Sequence, residues 1–133
     1  MKRQGILNSD ISTVISHMRH TDSITVGDCG LPVPENVGCI DLSVRLGLPG
    51  LMDVLSELQK DLKVEKMVLA EEIKTQNPAV HAQILDLFAR IPVVYVPHSE
   101  FKELTAGSKA VVRTGEATAY ANVILQSACI FAD

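Results

Sequence analysis

The sequence predicts an α/β protein: a single three-layer α/β/α domain, residues 1–133, around a central mixed, largely parallel sheet of about six strands. Two observations support this class. Short runs of β-branched and aromatic residues alternate with amphipathic helical patterns along most of the chain, as layered α/β domains require. The length of 133 residues also suits one domain, and the chain contains no internal repeat, linker or low-complexity stretch.

The first half of the chain alternates helical and strand patterns. Asn8-Ser9-Asp10 offers helix N-caps, and the helix that follows is expected to end near Arg19-His20. Its apolar face consists of Leu7, Ile11, Val14, Ile15 and Met18. Residues 23–28 form a predicted strand because they are rich in Ile, Thr and Val. Residues 39–44 and 64–70 are two further predicted strands, and Leu48-Pro49-Gly50 introduces a helix between them that reaches residue 62.

The second half continues the alternation. Asn77-Pro78 predicts a helix start, because proline is tolerated at the first helical position, and this helix is expected to stop before Pro92. His81 on this helix is expected at the surface. The predicted strands are 93–96, 109–113 and 122–128, and Ser99 is expected to cap a short helix through residue 104. The apolar tail 129–131 could pack in a subunit interface.

Composition excludes several classes of protein. An apolar fraction of 47% with 21% charged residues argues against disorder. The net charge is −4 and no basic stretch stands out, so nucleic acid is not an expected partner. No apolar run approaches the roughly 20 residues of a membrane helix, and no signal-peptide core is found near Met1, so a cytoplasmic location is expected. The three cysteines form no CxxC pair, so neither a disulfide framework nor a zinc site is expected.

A polar cluster flanks the first predicted strand. His20 precedes this strand, and an imidazole with an ordinary pKa of about 6.5 can act as an acid or a base at cellular pH. The alternative for His20 is a helix cap without chemistry. Asp28 ends the strand just before a Gly-Leu-Pro turn, where its carboxylate could accept ligand hydroxyls or turn amides.

Three more polar side chains lie at the ends of later strands. His98 follows a strand and a proline, and it could contact a ligand or cap the next helix. Tyr120 and Asn122 precede the last strand, and they could bind a ligand or satisfy local backbone groups. Glu71-Glu72 is interpreted as a solvated helix start. Imidazole, carboxylate, phenol and amide together suit the hydroxyls of a free sugar, whereas a phosphosugar would favour Arg, Lys or a helix-terminus site.

The chain resembles a family of bacterial sugar mutarotases that contains the D-ribose pyranases and the fucose mutarotases. The resemblance rests on six segments in the family's order over essentially the whole chain. They are Leu7-Asn8-Ser9-Asp10-Ile11, His20-Thr21-Asp22, Asp28-Cys29-Gly30-Leu31-Pro32-Val33-Pro34, Ala70-Glu71-Glu72-Ile73, His98-Ser99-Glu100-Phe101, and Arg113-Thr114-Gly115-Glu116 leading to Tyr120-Ala121-Asn122-Val123-Ile124-Leu125. Within the family, the Ile11 helix and the His98 segment look like the ribose branch.

The resemblance implies an isomerase that interconverts pyranose and furanose forms of free D-ribose without a metal or an organic cofactor. It implies that His20 is the catalytic proton donor and that the sugar is bound by Asp28, His98, Tyr120, Ala121 and Asn122. It also implies a cytoplasmic homo-oligomer, a decamer of two stacked pentameric rings. One departure from the family pattern is the tight helix–strand joint Arg90-Ile91-Pro92. The alternative functions are a non-catalytic ribose-binding partner of a sugar transport system and an L-fucose mutarotase.

Overall fold

Helices and strands alternate along the computed structural model of the chain, which describes residues 1–131. The strands are β1 (Ser23–Gly27), β2 (Cys39–Asp41), β3 (Val64–Ala70), β4 (Val93–Val96), β5 (Val111–Arg113) and β6 (Val123–Ser127). The helices are α1 (Ser9–His17), α2 (Leu51–Asp61), α3 (Ile73–Gln76), α4 (Pro78–Leu87) and α5 (His98–Leu104), and a 3₁₀ turn covers Thr105–Gly107. Across residues 1–131, every helix is too short or too polar to cross a bilayer.

The six strands form one sheet in the order β2-β5-β1-β6-β3-β4. β1, β2 and β5 are parallel, and so are β3 and β4. β6 pairs antiparallel with both β1 and β3, so it runs against the other five strands. The prediction of a mixed, largely parallel sheet is confirmed. Because β6 is reversed, its first residues meet the C-terminal ends of β1 and β3 at one edge of the sheet.

One face of the sheet is covered by α1, α2 and α4. Its strand residues pack against Ile11 of α1, Leu55 of α2 and Ile84 of α4. These strand residues are Ile24, Val26, Met67, Leu69, Val112, Val123 and Leu125, each fully buried. Burying one such side chain stabilises the folded state by roughly 1.5–3 kcal/mol. These residues belong to the larger of the two apolar clusters.

The second face has an apolar half and a polar half. Toward the C-terminal ends of β1 and β3, Val68, Ile124 and Val111, the first residue of β5, belong to one apolar cluster with the buried Phe101 of α5. Near their N-terminal ends, Ser23, Gln126 and Lys66 lie side by side in register on β1, β6 and β3. The helical layer on this face therefore covers only half of the sheet, and the polar half stays partly exposed.

Several helix and strand boundaries in the structure differ from the predicted ones. α1 begins after Asn8, whose side chain accepts from the Ile11 amide at 2.9 Å as predicted, but it ends at His17 and not near His20. The chain then turns, because Asp22 Oδ2 accepts from the Arg19 amide at 2.8 Å and Thr21 adopts a φ of 73°. The helix-cap alternative for His20 is therefore wrong.

Further boundaries differ near the loops. Leu7 was predicted on the apolar face of α1 but is 74% exposed. Pro97, not Ser99, occupies the N-cap position of α5, which makes no side-chain capping bond. β1, β2, β5 and β6 are one to three residues shorter than predicted, whereas β3 and β4 match. In the tail, Ile130 and Phe131 are exposed in the single chain, so their predicted burial in a subunit interface stays a prediction.

His81 is half-buried between α4 and the edge strand β4, which corrects its predicted surface position. Its Nε2 and the Tyr95 hydroxyl share a hydrogen bond of 2.6 Å, and the two rings meet edge to face. The ammonium of Lys74 lies 3.8 Å from the centre of the Tyr95 ring. Burial, and then the positive charge of Lys74, lower the pKa of His81 below its ordinary value.

We expect the lowered pKa of His81 to make the stability of the protein depend on pH. A lowered pKa in the folded state means that His81 contributes stability above its unfolded pKa of about 6.5, and that this contribution is lost as the pH falls through the folded pKa. Urea unfolding from pH 8 to pH 5 should show the parent losing stability relative to His81→Gln as the pH falls. His17→Gln, an exposed histidine on α1, is the matched control, and an equal slope in parent and His81→Gln would contradict the expectation.

Candidate functional site

Asp28 and Asn122 form a reciprocal pair where β1 ends and β6 begins. The Asn122 Oδ1 atom accepts from the Asp28 amide at 2.8 Å, and Asn122 Nδ2 donates to Asp28 Oδ2 at 2.9 Å. Asn122 is fully buried, whereas Asp28 is partly exposed. The Gly30 amide donates to Asp28 Oδ1 at 2.9 Å, so this carboxylate does accept a turn amide. The pair fixes one accessible carboxylate at the edge of the sheet.

Gly27 allows this pair to form. A Cβ atom at Gly27 would lie 2.6 Å from Leu31 Cδ2 and 2.9 Å from Asn122 Oδ1, closer than real side chains approach. Thr114, which follows the neighbouring strand β5, supports the same position, because its hydroxyl donates to the Gly27 carbonyl at 2.8 Å. Only a glycine lets the buried amide reach the end of β1.

Tyr120 and His98 extend the site along the sheet edge. Tyr120 adopts a φ of 55°, and its ring meets the His98 ring edge to face with 5.1 Å between centroids. Phe101 also stacks on the His98 ring, with 6.1 Å between centroids. His98 Nδ1 is buried and has no hydrogen-bond partner in the described part of the chain. A buried nitrogen without a partner costs stability, which makes it a candidate for contact with a bound hydroxyl.

Glu72 and Asn77 hold the backbone that carries these side chains, and neither was predicted as a site residue. The Glu72 carboxylate accepts from the His98 amide at 3.0 and 3.1 Å, although Glu72 was interpreted as solvated. Buried Asn77 donates to Thr118 Oγ1 at 2.9 Å and to the Ala119 carbonyl at 2.8 Å, which fixes the loop before Tyr120. The available signal was position: Glu72 follows the C-terminal end of β3.

Arg113 borders the same edge on the side of β2. Its Nε donates to the Cys29 carbonyl at 3.0 Å and its Nη1 to Asp41 Oδ2 at 2.9 Å. Hydrogen bonds from the Ser43 hydroxyl and amide, and then from Arg113, lower the pKa of Asp41 to about 2. Arg113 is thus held by the strand ends and gives the loop that follows Asp28 a fixed anchor.

His20 lies at the opposite end of β1 from this cluster. Its Nε2 contacts Glu65 Oε2 at 2.9 Å on the polar half of the second face, and its side chain is 55% exposed. Between it and Asp28 lie the turn residues Thr21 and Asp22 and the five residues of β1, a strand about 16 Å long at roughly 3.3 Å per residue. Four predicted side chains, those of Asp28, His98, Tyr120 and Asn122, therefore gather at one edge, and His20 does not join them within one chain.

Ala121 can contribute to a site only through its backbone. Its side chain is fully buried in the larger apolar cluster, so only its main-chain atoms can face a ligand. The edge as a whole offers a carboxylate, an imidazole, a phenol and main-chain groups, which can bind several hydroxyls by hydrogen bonds. Within residues 1–131, no three histidine, cysteine or carboxylate side chains lie in an arrangement able to hold a metal ion.

Comparison with known proteins gives consistent results. Residues 1–130 match the RbsD / FucU transport protein family. The chain is 50% identical over 131 residues to the D-ribose pyranase of Halalkalibacterium halodurans, covering 98% of this chain and 100% of that protein. It is 51% identical over 132 residues to the D-ribose pyranase of Kosmotoga olearia, again covering 98% of this chain and 100% of the relative.

Two solved structures are similar to this chain. Bacillus subtilis RbsD complexed with D-ribose superposes with a TM-score of 0.96 at 45% identity, covering 98% of this chain and 100% of that one. The fucose mutarotase of Streptococcus pneumoniae in complex with L-fucose has a TM-score of 0.75 at 16% identity, covering 93% and 94%. The second comparison shows a shared fold only.

The Asp28–Asn122 pair gives a first test of the site. We expect Asn122→Ala to lower the free energy of unfolding by about 1–3 kcal/mol, because the Asp28 amide and carboxylate lose their buried partner. Urea unfolding measures the change. The exposed Asn36 serves as the control, since Asn36→Ala should change stability by less than about 0.5 kcal/mol. Equal stability of the two variants would contradict the role given to the pair.

Proposed function

The chain belongs to the RbsD / FucU transport protein family, and on this basis we propose that it is an isomerase that interconverts the β-pyranose and β-furanose forms of free D-ribose. The observation that carries the proposal is the identity of about half of all residues, over essentially the whole length, to D-ribose pyranases. The ribose complex of the Bacillus subtilis relative, which shares the fold at a TM-score of 0.96, supports ribose as the substrate.

Ribose binds at the sheet edge. Asp28 accepts hydrogen bonds from hydroxyl groups of the sugar. The same edge is lined by Tyr120, Asn122 and the main chain of Ala121. His98 meets a hydroxyl through its ring, which contacts the rings of both Tyr120 and Phe101. These groups are neutral or singly charged and need no phosphate on the sugar, which fits a free monosaccharide.

Catalysis requires an acid and a base. Opening the pyranose moves one proton to the ring oxygen while the anomeric hydroxyl loses another, and the bond from C1 to the ring oxygen breaks. A different hydroxyl then closes on C1 to form the furanose. His20 donates the proton to the ring oxygen, and water takes the proton of the anomeric hydroxyl. Each well-placed acid or base contributes roughly 10²–10⁴-fold, which suffices for a reaction that already occurs in water.

The complete site requires two copies of the chain. His20 and Asp28 stand at opposite ends of β1, so His20 of one copy faces the sugar bound at the edge of another. The exposed polar half of the second face, which carries His20, is the surface that such a neighbour covers. A closed ring repeats this contact at every subunit, in keeping with a homodecamer of two stacked pentameric rings. We propose that each copy is one domain, residues 1–133, working in the cytoplasm, where free Cys29, Cys39 and Cys129 stay reduced.

Substitution of His20 tests the reaction. His20→Ala should lower the catalysed exchange between ribose pyranose and furanose by about 10²–10⁴-fold, because the acid is lost. NMR saturation transfer on ribose measures the rate, and His17→Ala, an exposed histidine three residues earlier, is the control. If the unaltered chain binds ribose without speeding exchange, it is a binding partner of a transport system and not an enzyme. Faster exchange of L-fucose than of D-ribose would identify a fucose mutarotase.

Mixing two inactive variants tests the two-copy site. His20→Ala and Asp28→Ala are each expected to be inactive as pure proteins. Subunits exchanged at equal amounts should recover about a quarter of the parent rate, because one contact in four then combines an intact His20 with an intact Asp28. The same saturation-transfer rate is measured before and after mixing. A mixture that stays inactive after verified subunit exchange would mean that both residues act within one chain.

A further inference from the structure

The contacts of His20 determine which of its ring nitrogens can meet a substrate. Its Nε2 lies 2.9 Å from Glu65 Oε2, and the other Glu65 oxygen accepts from Gln126 Nε2 at 2.7 Å. An ionised carboxylate has only acceptor oxygens, so the nitrogen that contacts it must carry a hydrogen. Nε2 is therefore N–H in both the neutral and the charged imidazole, and Nδ1 is the atom left to gain or lose a proton.

Glu65 occupies an irregular position in the sheet that directs its side chain toward His20. Val64 pairs with Ser127 and Lys66 with Gln126, so Glu65 is the extra residue of a β-bulge between them. Bulges re-aim side chains and are common beside active sites. Here the bulge places the carboxylate between Gln126 on β6 and the ring of His20. Hydrogen bonds from Gln126, and then from His20, lower the pKa of Glu65, so the carboxylate is ionised near neutral pH.

The exposure of the pair in the single chain means that it contributes little to the folding of that chain. The side chains of His20 and Glu65 are 55% and 32% exposed in the single chain, and exposed ion pairs contribute little to stability. A carboxylate that orients an imidazole and stabilises its charged form is, by contrast, a common way to prepare a histidine for proton transfer. The arrangement is more useful for catalysis than for folding.

We propose that Glu65, itself held by Gln126, is a positioning residue that binds Nε2–H of His20 and thereby makes Nδ1 the atom that exchanges protons with the sugar. This inference rests on the proposed function. The Nδ1 proton passes to the ring oxygen as the bond between C1 and that oxygen breaks, and the anomeric hydroxyl gives its proton to water as the carbonyl forms. On closure, the attacking hydroxyl returns a proton to Nδ1 and the carbonyl oxygen takes one from water, so the protons balance.

Nitrogen NMR tests the contact directly on the unaltered chain. The assembled protein is labelled with ¹⁵N at histidine, and the His20 signals are assigned by their loss in His20→Ala. At pH about 8.5, where histidines are mostly neutral, Nε2 should have the shift of a protonated nitrogen and Nδ1 that of an unprotonated one. A protonated Nδ1 together with an unprotonated Nε2 would overturn the proposal. This result does not depend on activity, so it decides the contact even if ribose exchange is not catalysed.

Kinetics of Glu65 variants test the positioning role. Glu65→Ala should lower kcat for ribose exchange by about 10- to 100-fold with KM changed less than about twofold, because the sugar contacts are retained. Glu65→Gln should fall between Glu65→Ala and the parent, since its amide oxygen can still accept from Nε2–H. Glu57→Gln, which removes the carboxylate of a 2.8 Å surface ion pair with Lys60, is the matched control and should keep the full rate.

Two kinetic results would overturn the proposal. Unchanged kcat in a folded Glu65→Ala would mean that His20 needs no partner at Nε2. A large rise in KM with kcat retained would mean that Glu65 contacts the sugar and does not act through His20. If Glu65→Ala does not fold, Glu65→Gln with the nitrogen spectrum still decides the matter. Loss of ribose exchange in the parent itself would instead reject the proposed function.

Discussion

The reversed strand β6 and its link to β1 through the Asp28–Asn122 pair are the constraint on which the site depends. In a sheet of parallel strands, the residues before a strand lie at the opposite edge from the residues after it. Because β6 runs against its neighbours, Tyr120 and Asn122 at its start reach the edge where β1 ends. The buried amide of Asn122 then binds both the amide and the carboxylate of Asp28. Loop residues distant in sequence thus share one rigid frame.

The same strand also organises the opposite end of the sheet. Gln126, near the end of β6, holds Glu65, and Glu65 contacts His20. This short strand therefore begins next to Asn122 of the proposed sugar site, and near its other end Gln126 supports the side chain that contacts the proposed proton donor. Within one chain these two ends cannot serve one sugar. Under the proposed function, contact between identical copies overcomes this separation, because each copy presents both ends and can both give and receive a contact.

Much of the local structure followed from patterns in the sequence. Asn8 caps α1, Asn77 caps α4 with Pro78 at its first position, and β3 covers 64–70, all as predicted. These features depend on residues within a few positions of each other, where side-chain spacing, capping and the restricted φ of proline act. The positions of Asp28, His98, Tyr120 and Asn122 at strand ends were visible in the same way. Glu72 and His81 were misjudged because their partners, His98 and Tyr95, lie on other elements.

By itself, then, the sequence determined the class of fold, most of its elements and the set of polar side chains suited to a sugar. Only the tertiary structure decided that β6 is reversed, that His20 is separated from Asp28 by the length of β1, and that Glu65 is the partner of His20. The physical reason is the separation in sequence between the residues that make contact. Periodicity and capping report contacts between near neighbours, whereas a hydrogen bond between residues 45 or 94 positions apart depends on strand order and direction, which no local pattern records.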